Sequence, residues 1–185
     1  MNERRFGGEI ERLRAPQRVE RLEVERVITL CLDGLTAPQS LLDIGTGSGL
    51  FAEAFAAKGL KAAGVDLRED MLEAARSYVP SGEFKLAHME KLPFGDKTFD
   101  LAFMGCVLHE ADDLLTALKE ARRVAKTRVV VLEWPYETQE YGPPLEHRLK
   151  DETVRAAASE AGFAQINGQR LETMILYRME VTGTT

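Results

Sequence analysis

Short apolar runs alternate with helical segments through the middle of the chain. Five runs have the length and composition of buried strands: 40–44, 61–67, 83–87, 99–105 and 128–134. Most of the segments between them repeat apolar side chains at the three- and four-residue spacing of amphipathic helices. Strands that alternate with helices pair in parallel through right-handed crossovers. The alternation therefore predicts an α/β fold with a mostly parallel sheet covered by helices.

The alternation of strands and helices does not extend to the segments before and after it. Residues 17–32 repeat apolar side chains at helical spacing, whereas 135–150 form an irregular stretch rich in proline, glycine and aromatic residues. A further helix comes next, and two strands at 163–171 and 173–181 follow it, with their turn near Glu172. Long irregular loops in compact domains are often lids or binding loops. We therefore expect 135–150 to have a functional role.

Composition and charge narrow the class of protein. The chain has 185 residues, enough for one domain with a full core. Its net charge of −6 is the opposite of the basic footprint of a nucleic-acid binder. The N-terminal stretch 5–27 mixes both signs of charge and is predicted to be a solvated helix face. These features favour a globular protein with no nucleic-acid partner.

Cysteine usage and hydropathy indicate the compartment. No apolar run approaches the roughly 20 residues that span a bilayer, and the charged N-terminus does not read as a secretory signal. Cys31 and Cys106 lie far apart with no CxxC pattern, and the histidines are scattered. We expect a cytoplasmic protein with no metal site and no stable membrane anchor. Nothing in the sequence predicts its oligomeric state.

A glycine-rich loop follows the first predicted strand. Gly45, Gly47 and Gly49 lie within five positions, and Asp43 comes two residues before the first of them. Asp66 ends the second predicted strand, about twenty residues later, where an acid suits hydrogen bonds to the hydroxyls of a ribose. Ligands of open α/β sheets bind at this edge, outside the carboxyl ends of the strands. The pattern predicts a ligand that contains a nucleoside.

Two nucleoside ligands compete for this loop. NAD requires the pattern GxGxxG, with its diphosphate on the helix N-terminus, but here the sixth position is Leu50. Asp43 would also repel a diphosphate. S-adenosylmethionine has no phosphate, and its sulfonium and ammonium groups tolerate a nearby carboxylate. The loop therefore favours S-adenosylmethionine.

Four stretches in sequence order resemble the motifs of class I S-adenosylmethionine-dependent methyltransferases: LLDIGTGSG, GVDLREDMLEAAR, LPFGDKTFDLAFMGCVLHEADD and EARRVAKTRVVVLEWP. The match favours the branch that includes the ubiquinone and menaquinone biosynthesis enzymes (methyltransferase type 11), and it runs from about residue 38 onward. The resemblance implies a three-layer αβα fold. Its seven-stranded, mostly parallel, doubly wound sheet would have the order 3-2-1-4-5-7-6 and a C-terminal antiparallel hairpin. The two strands predicted at the end of the chain agree with that hairpin.

The resemblance also implies how the single domain, residues 1–185, is organised. Residues 1–37 would be an N-terminal helical cap and 38–134 the cofactor-binding half. Residues 135–150 would be a loop on the acceptor side, and 151–185 a helix with the terminal hairpin.

Residues that bind the cofactor can be assigned from the same motifs. The glycine loop would wrap the methionine part, and Asp43 would face its amino end. Asp66 would hold the ribose. His88 stands where many relatives have an aspartate that contacts the adenine amino group, in AHMEKLPF. The implied cofactor contacts are Asp43, Gly45, Thr46, Gly47, Ser48, Gly49, Asp66, Leu67, Met71, His88, Met89, Glu90, Gly105 and Cys106.

The acceptor side is less clearly marked. His109 follows the fourth predicted strand and is the candidate general base, because an imidazole titrates near neutral pH. Its alternative role is a packing or capping residue at a helix start. Trp134, Tyr136, Tyr141 and His147 are the candidate acceptor contacts. For Trp134 the alternative is a core position, and for the loop residues an exposed surface.

The combined prediction is an S-adenosylmethionine-dependent methyltransferase for a small-molecule acceptor. An in-line displacement at a sulfonium-activated methyl requires mainly alignment and exclusion of water, which agrees with the absence of a catalytic triad. Neither the acceptor nor its reacting atom (O, N, C or S) is predicted. A non-catalytic S-adenosylmethionine binder, a sensor or partner subunit, is the alternative. The acidic charge and the absence of an N/D-P-P-Y/F tetrapeptide count against a nucleic-acid methyltransferase.

Overall fold

The strands form one sheet in a computed structural model, which describes Arg5 and residues 8–181. Within this part of the chain the strands are Ser40–Ile44 (β1), Lys61–Asp66 (β2), Glu83–Leu86 (β3), Phe99–Gly105 (β4), Ala125–Glu133 (β5), Ile166–Arg170 (β6) and Ile175–Glu180 (β7). Their order is β3-β2-β1-β4-β5-β7-β6. Strands β1 to β5 are parallel, and β7 is antiparallel to both β5 and β6. The predicted fold, including the strand order and the terminal hairpin, is confirmed.

Helices cover both faces of this sheet. In the described residues they are Ile10–Leu13 (α1), Pro16–Arg21 (α2), Val24–Leu32 (α3), Leu50–Ala57 (α4), Glu69–Tyr78 (α5), Leu114–Val124 (α6) and Asp151–Glu160 (α7). Short 3₁₀ turns occur at Leu108–Glu110 and Leu145–His147. No helix among residues 8–181 is both long enough and apolar enough to span a membrane.

Alternating side chains of the central strands divide the core between the two faces. Leu41 of β1 packs in one cluster with Phe55 of α4 and Ile28 of α3. Leu42, the next residue, packs in the other cluster with Leu118 of α6. Successive strand residues point to opposite faces, so a strand that is buried on both faces is apolar at consecutive positions. This arrangement is the three-layer αβα architecture.

One helix predicted from the sequence is two helices in the structure. The helical pattern predicted a single helix over 17–32, but Glu23 has a left-handed backbone (φ 47°) and separates α2 from α3. Leu22 and Val24, on either side of it, are both buried. Residues two apart on one helix do not share a face, so the break lets both side chains reach the core.

The parallel strands bring the carboxyl ends of β1, β2, β4 and β5 to one edge of the sheet. Asp66 and Glu133 are the last residues of β2 and β5. Gly105 ends β4 and pairs in register with Leu132 of β5. Residues far apart in sequence therefore meet at this edge, which is the expected place for a ligand.

Candidate active site

A cavity of about 760 Å³ lies at this edge of the sheet. Its walls are the glycine loop, the ends of β2 and β4, the 135–150 loop and the N-terminal segment, which is defined here as residues 8–21. The volume falls within the range of about 300–1,000 Å³ that is typical of small-ligand sites. Most of the residues predicted for the cofactor and for the acceptor thus share one cavity.

The glycine loop is shaped by close contacts that exclude side chains. Gly45 has a φ of 69°, and a Cβ atom there would collide with Val107. Gly49 has a φ of 77°, and a Cβ there would lie 2.9 Å from the Cβ of Ala75. Both conformations favour glycine. Gly45 and Gly47 line the cavity, whereas the predicted cofactor contact Gly49 does not and packs against α5.

A buried hydroxyl in the same loop has no protein partner. Ser48 is 1% exposed and contributes to the wall of the cavity. Its Oγ makes no hydrogen bond with any described residue. Buried polar atoms are nearly always hydrogen-bonded, and this hydroxyl is one of the few exceptions among the described residues.

Asp43 is buried directly beneath the loop. Its Oδ2 accepts hydrogen bonds from Thr46 Oγ1 (2.8 Å) and from the Ala52 N–H (3.2 Å). Burial raises the pKa of Asp43 to about 7, although the bonds from Thr46 and Ala52 oppose this shift. A nearby cation would favour the charged carboxylate. The residue can therefore serve both the loop and a cationic ligand.

Asp66 connects the end of β2 to the glycine loop. Its Oδ2 accepts a hydrogen bond from the Gly47 N–H (2.8 Å), and its Oδ1 accepts one from the Arg68 N–H (3.0 Å). Burial raises the pKa of Asp66, and these backbone bonds oppose the shift. Leu67 and Met71 also line the cavity. Asp66 thus lies at the cavity with apolar residues beside it, and its contact with a ribose stays a prediction.

The predicted adenine contacts divide between two positions. Met89 and Glu90 line a side pocket of about 50 Å³ next to Asp66, together with Ala87. His88, between them in sequence, lines neither this pocket nor the main cavity. The placement of His88 therefore does not favour its predicted contact with the adenine.

His109 forms a buried pair with Glu133. Its Nδ1 lies 3.0 Å from both carboxylate oxygens of Glu133, and its backbone N–H donates to Glu133 Oε1 (3.1 Å). An ionised carboxylate only accepts hydrogen bonds, so Nδ1 carries the proton and a neutral ring has its lone pair on Nε2. His109 also lines the cavity, and its Nε2 lies 4.0 Å from Glu110 Oε1.

Sequence reasoning missed the role of Glu133 in this pair. The residue is 2% exposed and also accepts a hydrogen bond from the Trp134 N–H. An acid that ends an otherwise apolar strand was the available signal. The partner could only be identified from the pairing of β4 with β5, because His109 lies 24 positions away.

The 135–150 loop is organised by one guanidinium group. Arg148 is 5% exposed and lies over the Trp134 ring at 5.4 Å. It donates to the carbonyls of Pro135, Glu137, Tyr141 and Pro143 and to the side chain of Gln139. The Arg148 side chain thus holds together a loop that has no helical or strand periodicity.

The predicted acceptor contacts are only partly brought together. Trp134, Tyr141 and His147 line the cavity. Tyr136 does not line it; its ring is 45% exposed and lies 5.3 Å from Lys150 Nζ. The placement of Tyr136 therefore does not favour its predicted acceptor role.

The N-terminal segment covers the glycine loop. Arg14 donates to the Ser48 carbonyl (2.8 Å) and to Glu53 (2.7 Å). Arg68 donates to the Gly8 carbonyl (2.9 Å). The prediction of a merely solvated helix face is wrong for this segment, because its arginines contact the loop and line the cavity. Mixed charge alone could not reveal this.

Comparisons with known proteins agree with this geometry. The family model described as a methyltransferase domain matches residues 42–132. Residues 42–132 are a methyltransferase domain. The family assignment made from the sequence is confirmed, and it implies S-adenosylmethionine as the cofactor.

Curated relatives match this methyltransferase domain over part of their length. The chain is 38% identical over 96 residues to a demethylmenaquinone methyltransferase of Chlorobaculum tepidum, which covers 51% of this chain and 39% of that protein. It is 34% identical over 92 residues to a malonyl-[acyl-carrier protein] O-methyltransferase of Hamiltonella defensa, covering 50% of this chain and 36% of that protein. The chain thus spans well under half the length of either relative.

A solved structure matches nearly the whole chain. A SAM-dependent methyltransferase from Aquifex aeolicus superposes with a TM-score of 0.80 at 26% identity. The match covers 94% of this chain and 97% of that one. The N-terminal segment and the terminal hairpin therefore belong to the same fold as the methyltransferase domain.

The raised pKa of Asp43 gives a testable pH dependence. The folded chain holds this proton more tightly than the unfolded chain, whose Asp pKa is about 4. Stability therefore falls as the pH rises from about 4 to about 7. Asp43→Asn has no proton to lose and is free of this effect. The unfolding free energy of the variant minus that of the wild type should therefore increase by up to about 4 kcal/mol between pH 4 and pH 7. Urea denaturation at several pH values measures the difference.

Asp100→Asn is the matched control for this pH dependence. Burial raises the pKa of Asp100, but bonds from Gln39, Lys126 and Ser40 outweigh it, and the net pKa lies below its ordinary value. Asp100 is then ionised in both the folded and the unfolded chain above about pH 5. The difference in unfolding free energy between Asp100→Asn and the wild type should therefore stay constant from there to about pH 7. A constant difference for Asp43→Asn as well would contradict the burial argument.

Arg148→Lys tests the organisation of the loop. Lysine keeps the charge but cannot form the guanidinium fork. We expect faster hydrogen exchange in residues 136–147 and a loss of about 1–3 kcal/mol in unfolding free energy. Arg26→Lys, at an exposed ion pair with Glu23, should change either quantity little. Unchanged exchange in the loop would show that Arg148 does not hold it.

Proposed function

We propose that the protein is an S-adenosylmethionine-dependent methyltransferase that acts on a small-molecule acceptor. The observation that carries this proposal is the continuity of the cavity. It runs from Asp66 and the glycine loop to the His109–Glu133 pair and the 135–150 loop. A donor at the loop and an acceptor near His109 would therefore share one space.

The residues of the cavity fit the cofactor. The buried Asp43 suits the cofactor's ammonium group, and the glycine loop lies beside it in the wall of the cavity. Asp66 presents a carboxylate for the ribose hydroxyls, with Leu67 and Met71 beside it as apolar surface. When bound, the cofactor supplies a methyl group activated by the sulfonium.

The chain itself contributes alignment and a base. His109 Nε2 would take a proton from the acceptor, and Glu133 would hold the ring in the required tautomer and stabilise its protonated form. The N-terminal segment and the 135–150 loop both form part of the cavity wall and would exclude water. Orientation of donor and acceptor is the larger contribution that such a site makes.

The size of the cavity supports a small acceptor. A volume of about 760 Å³ must hold the cofactor as well as the acceptor. The curated relatives named above carry names that specify demethylmenaquinone and malonyl-[acyl-carrier protein]. In-line transfer to a small organic molecule is the reaction that this geometry supports best.

Asp66→Ala tests the cofactor site. S-adenosylhomocysteine should bind the wild type, and NAD should not. The variant loses two charged hydrogen bonds to the ribose, so its affinity should fall at least about tenfold. Calorimetry measures binding, and thermal melting verifies that the variant is folded. Asp96→Ala, at an exposed acid paired with Arg123, is the control that should bind normally.

The outcome for Asp66 can contradict the assignment in two ways. Tight binding of NAD with no response to S-adenosylhomocysteine would refute the proposed cofactor. Unchanged affinity of a folded Asp66→Ala protein would mean that this carboxylate does not hold the ribose.

His109→Gln tests the base. Turnover should fall by about 10²- to 10⁴-fold, while the affinity for S-adenosylhomocysteine stays close to that of the wild type. Glu133→Gln keeps an acceptor for Nδ1 but removes the negative charge that stabilises the imidazolium. It should therefore reduce turnover less and move the acid limb of the pH–rate profile to lower pH. Full activity of His109→Gln would leave alignment alone as the chain's contribution.

A further inference from the structure

Two arginines of α2 line the cavity without a carboxylate partner. Among the described residues, Arg18 donates only to the Leu13 carbonyl (2.9 Å), and the guanidinium of Arg21 lies 3.3 Å over the Tyr141 ring. Both side chains are half-buried and belong to the wall of the cavity. A guanidinium that is withdrawn from water is normally paired with an anion.

Charged groups elsewhere in the wall do not supply that anion. Asp43 and Asp66 accept hydrogen bonds from the glycine loop and its neighbours. Arg5 and Arg68, two further cations of the wall, have carboxylate partners of their own on Asp112 and Asp70. The wall also contains the carboxylates of Glu110 and Glu140, but within the described part of the chain neither forms an ion pair with Arg18 or Arg21.

The position of the two arginines is on the acceptor side. Arg18, Cys106 and His109 line the same cavity. The Cys106 N–H, directly after β4, donates to the carbonyl of Leu132 (2.7 Å), the residue before Glu133. Arg21 contacts Tyr141 of the 135–150 loop. The two arginines thus share the cavity wall with the candidate base and that loop.

We propose that the methyl acceptor is a small carboxylic acid and that Arg18 and Arg21 bind its carboxylate. This inference rests on the proposed function and specifies its substrate class. The guanidinium fork matches a carboxylate with two parallel hydrogen bonds. The methionine carboxylate of the cofactor has the same chemistry, and the cofactor arm of the test below separates these two anions.

Binding to the complex with S-adenosylhomocysteine tests the acceptor class without requiring turnover. The probes are matched pairs of acid and primary amide: benzoate and benzamide, 4-hydroxybenzoate and 4-hydroxybenzamide, and glutarate and glutaramide. We expect at least one acid to bind about tenfold or more tightly than its amide, as one charged hydrogen bond would give. Arg18→Gln and Arg21→Gln should remove this preference. Arg26→Gln, at the exposed pair outside the cavity wall, should keep it.

The cofactor supplies the second arm of the test. 5′-Methylthioadenosine lacks the amino acid part of S-adenosylhomocysteine, so the ratio of the two affinities reports on the methionine carboxylate. We expect Arg18→Gln to leave this ratio unchanged. A selective loss of S-adenosylhomocysteine affinity would assign Arg18 to the cofactor and overturn the proposal.

The remaining outcomes separate the two proposals. Three outcomes would overturn the acceptor class alone. They are equal binding of acids and amides, no measurable binding of any acid, and a preference for the acid that survives both Arg18→Gln and Arg21→Gln. A protein that binds neither S-adenosylhomocysteine nor 5′-methylthioadenosine would instead contradict the proposed function.

Discussion

Two carboxylates, Asp43 and Asp66, hold the glycine loop in the shape on which the rest of the site depends. One ties the loop to the start of α4, and the other ties it to the end of β2. Both are largely withdrawn from water, which raises the pKa of each. The fold thus holds two carboxylates, whose removal from water costs free energy, at the edge where the parallel strands end. A ligand with positive charge and ribose hydroxyls would offset that cost, which is why the same two residues can serve structure and binding.

The cavity above this loop is built from two segments that have no strand in the sheet. Arg14 fixes the N-terminal segment to the loop through the Ser48 carbonyl. Arg148 fixes the 135–150 loop through a set of backbone carbonyls. Arg21 of the first segment contacts Tyr141 of the second. Guanidinium groups therefore connect these two segments to a fold whose core is apolar.

Local patterns predicted the sheet, and the resemblance predicted its order, because strand periodicity and loop motifs are encoded in neighbouring residues. Contacts between distant residues were not predictable in that way. The pairing of His109 with Glu133 depends on strand neighbours, and the roles of Arg18 and Arg148 depend on where two irregular segments pack. The break at Glu23 was missed because burial of both flanking side chains overrides helix periodicity. Sequence therefore predicted single residues that line the cavity, but not the side-chain pairs that distant segments bring together there.

A crystal structure with S-adenosylhomocysteine would test the central claim, that one cavity holds donor and acceptor, most directly. The account predicts the ribose hydroxyls within hydrogen-bond distance of Asp66 and the amino group toward Asp43. It also predicts the sulfur atom beside Cys106, facing His109 and Arg18. A ribose bound away from Asp66, or a sulfur that faces away from His109, would contradict it.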